Sequence, residues 1–569
     1  MRILAVHPGA HDSSAAAFDD YRLVAAVHEE RLTRHKGSGD GVPWLAIDEV
    51  LRVAGWTRRD IDAIASTRAF YPAIFLRVPL RKEIDQAFRR WRGREPGQRE
   101  LWRECQRRNT TDAGTIFAAA RFLALNGFRP DTTFFFANHH EAHALPSVFF
   151  TDWQDALIFT ADGIGENVSY SMRSLKYGAL TCHFGDDRFL LREFNANSIG
   201  QAFGFATALC GFQKLRHEGR LTALAASGEP TLAPAIAEHF RLGDDGLIAT
   251  QFASGADIGA QMKRICAGAS RETIAASIQK VTEDLILAAV RHWLSRCNVR
   301  HLGLGGGLFA NVRLNRLLAE NCPLDEIFVF PAMGNDGLSV GAGLAFLLAR
   351  DGLRPWLAQR YRLDTVFLGA SHDRDIDVAL VASGARKWAD PPIAGAVERL
   401  RSGSVGAAYI GRMEFGSRAL GARSIIASPA DPAIKDDLTR RLERPDFMPF
   451  APYVLDVDAD KVFDITPVNR YAARFMTITC GVKPEWREKI AVVVHVDGTA
   501  RPQIVRQSDN PLYASILRGF RDATGLPVLI NTSFNAHEEP IVNRPSECVR
   551  ALNDGRVDFV VTEQGIYSR

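Results

Sequence analysis

No run in the 569 residues approaches the roughly 18 uninterrupted apolar positions that a membrane-spanning helix needs, so nothing is expected to cross a bilayer. Net charge is scarce too: +3 over this length gives no whole-molecule reason to bind nucleic acid. The eight cysteines include no Cys-x-x-Cys pair, which argues against a zinc site or a disulfide framework and for reduced, mostly buried thiols. No basic flank followed by an apolar stretch stands at the start. MRILAVHPGAHDSSAA reads instead as a strand entering a turn, so no secretory signal is expected and a cytoplasmic location is. The Walker spacing, the dinucleotide fingerprint and any solenoid-period repeat are missing as well.

What is present is an α/β pattern. Strand-like runs at 2–6, 134–137, 156–161 and 301–306 each end in small or polar residues followed by helical periodicity. The chain is too long for one core, so two domains are expected. A helical stretch over 271–297 and Gly and Pro in LLARDGLRPWLAQRY place a boundary near residue 355, separating 1–355 from 360–569. The second part carries the strand-like runs SVGAAYI, IAVVVHV and PVLINTSF and fewer helices. From Tyr71 to Arg108 the chain is aromatic and strongly basic, with Arg89 and Arg90 at its centre. Such a stretch reads as a solvated helical insert, or as a dock for an acidic carrier or anionic acceptor.

Chemistry concentrates at strand ends. In FFFANHHEAHALPS, Asn138 caps a helix on which His139 and His143 stand at i and i+4, one turn apart, a spacing that lets two imidazoles share one divalent ion. His140 and Glu141 fall on other faces. A further oxygen ligand is expected from GNDG, which offers Asn335 and Asp336. Three small-residue loops follow apolar strands and could cradle phosphate on backbone N–H groups: residues 9–18, 160–169 and 302–315. They supply Asp162, Gly163, Gly165, Glu166, Gly305, Gly306, Gly307 and Asn311 as nucleotide-binding candidates. Asp162 and Glu166 either hold Mg²⁺ or a ribose or shape the turn. In the second part, arginines, hydroxyls and amides at strand ends (Arg418, Arg501, Asn531, Ser533) suit a dianion such as phosphate.

HDSSAA, VHEERLTRHK, NHHEAHA, TADGIGE, LGLGGGLFANVRLN, FGSRALGARSI, PFAPYV, HVDGTARPQ and LINTSFNAHEEPIV occur in this order over nearly the whole chain. In this the sequence resembles the carbamoyltransferases of the NodU and TobZ type. The resemblance implies an N-terminal actin-like ATPase (Kae1-like) domain followed by a YrdC-like α/β domain. It implies that the second domain makes carbamoyl-adenylate from carbamoyl phosphate and ATP with Mg²⁺. The first would pass the carbamoyl group to a hydroxyl of a natural-product acceptor, free or carrier-bound, beside a bound Fe(II) or other divalent metal. The resemblance maps the metal histidines onto His139 and His143. It puts Asn335 where the commoner GDxG form has aspartate, with Asp336 one position on. His11 and Asp12 match the HDSS turn and Lys36 the basic residue after EER; His11 is the expected base for the hydroxyl proton. Arg418, Arg501 and Ser533 match carbamoyl phosphate-binding positions, and Asn531 shares their loop. Two positions depart from the pattern. Leu442 and Met448 stand where a lysine and an arginine are common, with Arg441 and Arg444 near enough to substitute. The segment EGRLTALAASG, 218–228, is also altered, which points to a different acceptor pocket. An actin-like small-molecule kinase and a regulatory homologue with a degenerate second site are the alternatives; a kinase would release ADP, not AMP and pyrophosphate.

Overall fold

The structure is a computed structural model that describes residues 1–39, 41–77, 84, 88, 91–92, 98–186, 198–445 and 448–569. Its N-terminal part holds two five-stranded sheets. The first is built from β1 (Arg2–His7), β2 (Ser14–Asp19), β3 (Arg22–His28), β4 (Ala63–Thr67) and β5 (Thr133–Ala137) in the order β3-β2-β1-β4-β5. The second uses β6 (Ala156–Gly165), β7 (Val168–Lys176), β8 (Ala179–Phe184), β9 (His301–Gly305) and β10 (Glu326–Val329) in the order β8-β7-β6-β9-β10. In both, the first three strands form an antiparallel meander and the last two lie parallel to the first. This duplicated topology is the arrangement of an actin-like ATPase domain, and no residue-level repeat announces it.

Helices His139–Phe149 and Leu338–Asp351 lie against each other between the two sheets. Their contact is so close that a Cβ at Gly341 would sit 1.7 Å from the Ala142 carbonyl oxygen, so only glycine fits. The expected long helix spans Arg271–Cys297, opened by the Ser270 side chain on Thr273 N–H and closed by Asn298 in the left-handed region.

The C-terminal part is an eight-stranded mixed sheet. Its strands are β11 (Arg386–Lys387), β12 (Gly406–Tyr409), β13 (Arg423–Ala427), β14 (Ala451–Leu455), β15 (Gln503–Val505), β16 (Val528–Ser533), β17 (Phe559–Val561) and β18 (Ile566–Ser568), in the order β11-β18-β17-β12-β13-β16-β14-β15. Two of its three strand-like runs form strands, β12 and β16. The third, IAVVVHV, does not. It makes a short 3₁₀ turn, Ala491–Val493, with Val492 and Val493 buried. Helices are also more plentiful here than expected, running over Pro392–Arg401, Pro511–Thr524 and Pro545–Asn553 among others.

The halves share a core. Buried side chains of the second sheet and of the C-terminal sheet form one connected cluster, from Leu157 to Tyr567. Tyr471 stacks on Phe328 at 4.6 Å and donates its hydroxyl to the Phe150 carbonyl at 2.8 Å. All eight cysteines are free. Among the described residues no helix is long and apolar enough to cross a membrane. Arg89 and Arg90 of the basic stretch lie outside the described residues. Of their described neighbours, Arg103 pairs with Glu100 at 2.6 Å and Arg107 with Glu104 at 2.9 Å.

Candidate functional site

The first site forms where parallel strands of both sheets end, the usual place for a ligand crevice in α/β architecture. Asn138 is the N-cap of its helix, accepting from Glu141 N–H at 3.0 Å. That start places His139 and His143 on one face, and β6 brings Asp162 across to them. Asp162 Oδ2 lies 3.2 Å from His139 Nε2 and 3.3 Å from His143 Nε2, and the two Nε2 atoms are 3.2 Å apart. Burial alone would raise the Asp162 carboxyl, but the two imidazoles hold it well below the usual carboxylate range, while burial lowers His143. His140 is fully engaged by Thr160 Oγ1 and the Val168 carbonyl, both at 2.8 Å, and takes no part.

The donor set therefore differs from the expected one. Asn335 faces His143, and its Oδ1 is buried without a hydrogen-bond partner among the described residues. Asp336 turns away: its Oδ2 lies 3.6 Å from His28 Nε2, and burial followed by the charges of Asp12 and Glu30 pushes its carboxyl up to about 7. The oxygen beside the histidine pair comes from Asp162, because β6 delivers its C-terminal end to the helix start whereas the turn after Gly334 points residue 336 toward β3. Two imidazoles, one carboxylate and an unsatisfied amide oxygen, with the His and Asp ligand atoms all within 4.8 Å, fit a borderline divalent cation such as Fe(II).

The glycine loops meet here for packing reasons. A Cβ at Gly165 would lie 2.1 Å from the His139 ring, one at Gly305 2.5 Å from the His143 carbonyl oxygen, and one at Gly307 3.1 Å from Asp162 Oδ1. Gly306 has φ +95° and its Cβ would lie 2.2 Å from the Ala161 carbonyl oxygen, whereas Gly163 faces open space. Two nucleotide candidates are committed elsewhere. Glu166 makes a buried two-pronged ion pair with Arg68, at 3.0 and 2.7 Å, and accepts from Asn138, which withdraws it from a ribose or Mg²⁺. Asn311 caps the helix Val312–Asn321 and bonds Gln279, a structural post.

From the first sheet, the turn after β1 brings His11 and Asp12. Asp12 Oδ2 accepts from His11 Nδ1 at 2.8 Å. Burial works against charge on His11, yet the Asp12 hydrogen bond and the carboxylates of Asp12, Asp162 and Glu218 outweigh it and raise its pKa. The loop carrying Lys36 lies against this turn through Asp12 N–H to the Gly37 carbonyl at 3.2 Å. Burial lowers the Lys36 ammonium, with Glu30 and Glu538 opposing. Two residues escaped the sequence reading. Glu218, from the altered EGR segment, accepts from Leu215 N–H at 2.7 Å, and its charge is one of those that raise His11. His7, at the end of β1, bonds Thr67 Oγ1 at 2.8 Å and keeps a buried Nε2 with no partner among the described residues, near His139 and His11. A histidine four residues before HDSS was the available signal.

The second site is cationic. Burial lowers Arg418, Arg444 and Arg501 alike, and the charge of Arg418 acts on both of the others. Burial and then Arg418 push Arg444 down to about 10, and burial followed by Arg418 and Arg444 takes Arg501 well below its ordinary value. Among the described residues no carboxylate stands among the charges acting on them. Arg501 Nε and Asn531 Oδ1 are buried without hydrogen-bond partners among the described residues. Asn531 Nδ2 bonds the Ala419 carbonyl at 2.9 Å and Gln503 Oε1 at 2.7 Å, so Asn531 braces the pocket. Ser533 ends β16 opposite Ser424. Arg444 donates to Thr532 Oγ1 at 2.6 Å and stacks over Phe450. It supplies the third cation that Leu442, buried in the core, and Met448 do not. Arg441 does not substitute, since it pairs with Asp437 at 2.7 Å and Asp558 at 2.6 Å.

Comparison with known proteins places the chain in a family. The family models described as carbamoyltransferase N-terminus and carbamoyltransferase C-terminus match residues 2–344 and 397–569. An uncharacterized protein of Methanocaldococcus jannaschii is 31% identical over 474 residues, covering 78% of this chain and 74% of its own. The nodulation protein NolNO of Sinorhizobium fredii is 29% identical, covering 97% of this chain and 78% of its own. A full-length HypF solved in a phosphate- and nucleotide-bound form aligns over 62% of this chain and 47% of its own at 12% identity, TM-score 0.37. With both family regions matched in order along one chain, this protein belongs to the carbamoyltransferase family and is a transferase.

Proposed function

We propose that this carbamoyltransferase is an ATP-dependent O-carbamoyltransferase working in two steps, with residues 360–569 forming carbamoyl-adenylate and residues 1–355 transferring the carbamoyl group to a natural-product hydroxyl. The observation that carries the proposal is the trio Arg418, Arg444 and Arg501, half-buried together with no carboxylate among the charges that act on them from the described residues. Such a group is strongly unfavourable unless an anion completes it, and a phosphate dianion does so with charge-assisted hydrogen bonds. Carbamoyl phosphate would bind there, with Ser533 at the rim and Asn531 holding the pocket's wall. Water hydrolyses carbamoyl phosphate there, so that phosphate departs and carbamate is left; a carbamate oxygen then attacks the α-phosphorus of MgATP, the bond from that phosphorus to the bridging oxygen of the β-phosphate breaks, and carbamoyl-adenylate and pyrophosphate result.

In the first part the acceptor hydroxyl attacks the carbamoyl carbon, the bond to the adenylate oxygen breaks and AMP leaves. With Nδ1–H donated to Asp12, His11 presents Nε2 as the base that takes the hydroxyl proton. Lys36 lies on the adjoining loop, where its charge would steady the leaving AMP. Gly163, Gly165 and Gly305 to Gly307 would let the nucleotide approach the strand ends. His139, His143, Asp162 and Asn335 would hold Fe(II) or another divalent metal, which when bound supplies positive charge beside the nucleotide's phosphate. The altered segment at 218–228 carries Glu218, whose charge acts on His11, and would shape the acceptor pocket. The chain would work in the cytoplasm, where ATP and carbamoyl phosphate are found.

Mass spectrometry of candidate acceptors incubated with the protein, ATP and carbamoyl phosphate tests this directly. The expected result is an added carbamoyl group with AMP and pyrophosphate released. Formation of ADP would overturn it in favour of a kinase.

A further inference from the structure

We propose that two buried charges outside the anion pocket, Glu414 and Arg31, are positioning residues that set Arg418 for carbamoyl phosphate, Arg31 doing so from the N-terminal half of the chain. The proposal rests on the assignment of the three-arginine pocket to carbamoyl phosphate.

Arg418 stands on the turn between the short strand Arg412–Glu414 and β13. Gly416 at φ +134° and Gly421 at φ +111° let this turn adopt backbone angles that other residues rarely take. A turn of that shape satisfies little of its own backbone, so its N–H and C=O groups need partners from outside. Glu414 provides three of them: its Oε1 accepts from the N–H groups of Leu420 at 2.8 Å, Ala422 at 2.7 Å and Arg423 at 3.1 Å. Gln503 Nε2 takes the Leu420 carbonyl at 2.7 Å. Glu414 is only 4% exposed and its Oε2 has no hydrogen-bond partner among the described residues. A carboxylate buried at that cost is kept for the three donors it gathers.

The other hold crosses from the first half. Arg31, on the short helix Glu30–Thr33, is 3% exposed, and its Nη2 donates to the Gly416 carbonyl at 2.9 Å, two residues before Arg418. Its Nε lies 3.3 Å from Glu30 Oε1. Beside it His28 meets the Phe415 ring edge-on at 4.5 Å and reaches Asp336 Oδ2 at 3.6 Å. The residue before Gly416 therefore touches the side chain that faces Asp336. One end of the Arg418 turn is thus fixed to the wall of the first site, and its other end to Glu414.

The test is carbamoyl phosphate-dependent ATP–pyrophosphate exchange by the full chain, read as KM for each substrate. Arg418→Ala should raise the carbamoyl phosphate KM by tens of fold, on the order of the loss of one charge-assisted contact. Glu414→Ala and Arg31→Ala should each raise it about tenfold while the ATP KM stays within about twofold. Glu414→Gln and Arg31→Lys, which keep an acceptor and a donor in place, should recover most of the loss. If Glu414→Ala does not fold, Glu414→Asp draws the carboxylate back by one methylene and carries the same expectation. An unchanged carbamoyl phosphate KM in the Glu414 and Arg31 variants, with Arg418→Ala impaired, overturns this inference alone. Equal losses for both substrates, without rescue by the conservative variants, overturn it too. An unimpaired Arg418→Ala overturns the pocket assignment itself.

Discussion

In the proposed transfer step His11, with Nδ1 on Asp12, is the base, and the step would then have a definite pH dependence. A base acts only when unprotonated, and the carboxylates around His11 raise its pKa above the ordinary imidazole value. Transfer from preformed carbamoyl-adenylate should therefore fall as pH drops through a value above about 6.5, with full rate above it. His11→Gln should lose both most of the rate and that limb of the profile; an unchanged profile removes His11 as the base. The arginines make an equally local prediction. Arg444→Ala should raise the carbamoyl phosphate KM at least tenfold, on the order of one charge-assisted hydrogen bond, whereas Arg441→Ala, which breaks only the pairs to Asp437 and Asp558, should leave it alone. Initial-rate kinetics at saturating ATP distinguish the two.

At the scale of elements, strand ends bring the chemistry together. Gly165 is the tightest case, because any Cβ there enters the His139 ring. Gly165→Ala should weaken divalent-metal binding by tenfold or more, a mass-action loss from displacing one ligand, read by metal titration of the folded protein. Gly341→Ala drives a methyl into the Ala142 carbonyl where two helices cross, and should cost about 2–3 kcal/mol in denaturant unfolding. Much at this scale was legible beforehand: strands ending at HDSS, NHHEAHA and TADGIGE, and the i, i+4 histidine pair. The partner of that pair was not. In the sequence Asp162 and Asp336 both follow apolar runs among small residues, and only the sheet order decides that β6, which carries Asp162, ends beside the helix while Asp336 turns to His28. Glu166 misled for the same reason, since its partner Arg68 lies 98 positions away on the other sheet. The run IAVVVHV had strand composition but turns over Ala491–Val493 as a 3₁₀ segment with its valines buried.

For the whole molecule, the continuous core predicts one cooperative unfolding transition, not two, despite the separate sheets. Scanning calorimetry should show a single endotherm, and Tyr471→Phe, which deletes the hydroxyl bond to Phe150, should lower stability by about 1 kcal/mol without splitting it. Two resolved transitions would mean that the halves fold independently. The composition had suggested two domains with a boundary in a Gly- and Pro-bearing segment, but apolar contacts across that boundary leave no trace in a one-dimensional pattern. The cationic pocket was legible as scattered arginines, and only the fold shows that Arg444 joins Arg418 and Arg501 while Arg441 does not. The proposal that a phosphate-binding pocket primes a carbamoyl group, and a histidine-bearing site joined to it through a shared core passes it on, is most directly tested by equilibrium exchange. ATP–pyrophosphate exchange should appear only when carbamoyl phosphate is added and should vanish when Arg418 and Arg501 are both replaced by alanine. Exchange that persists without carbamoyl phosphate, or that survives the double substitution, would contradict the account.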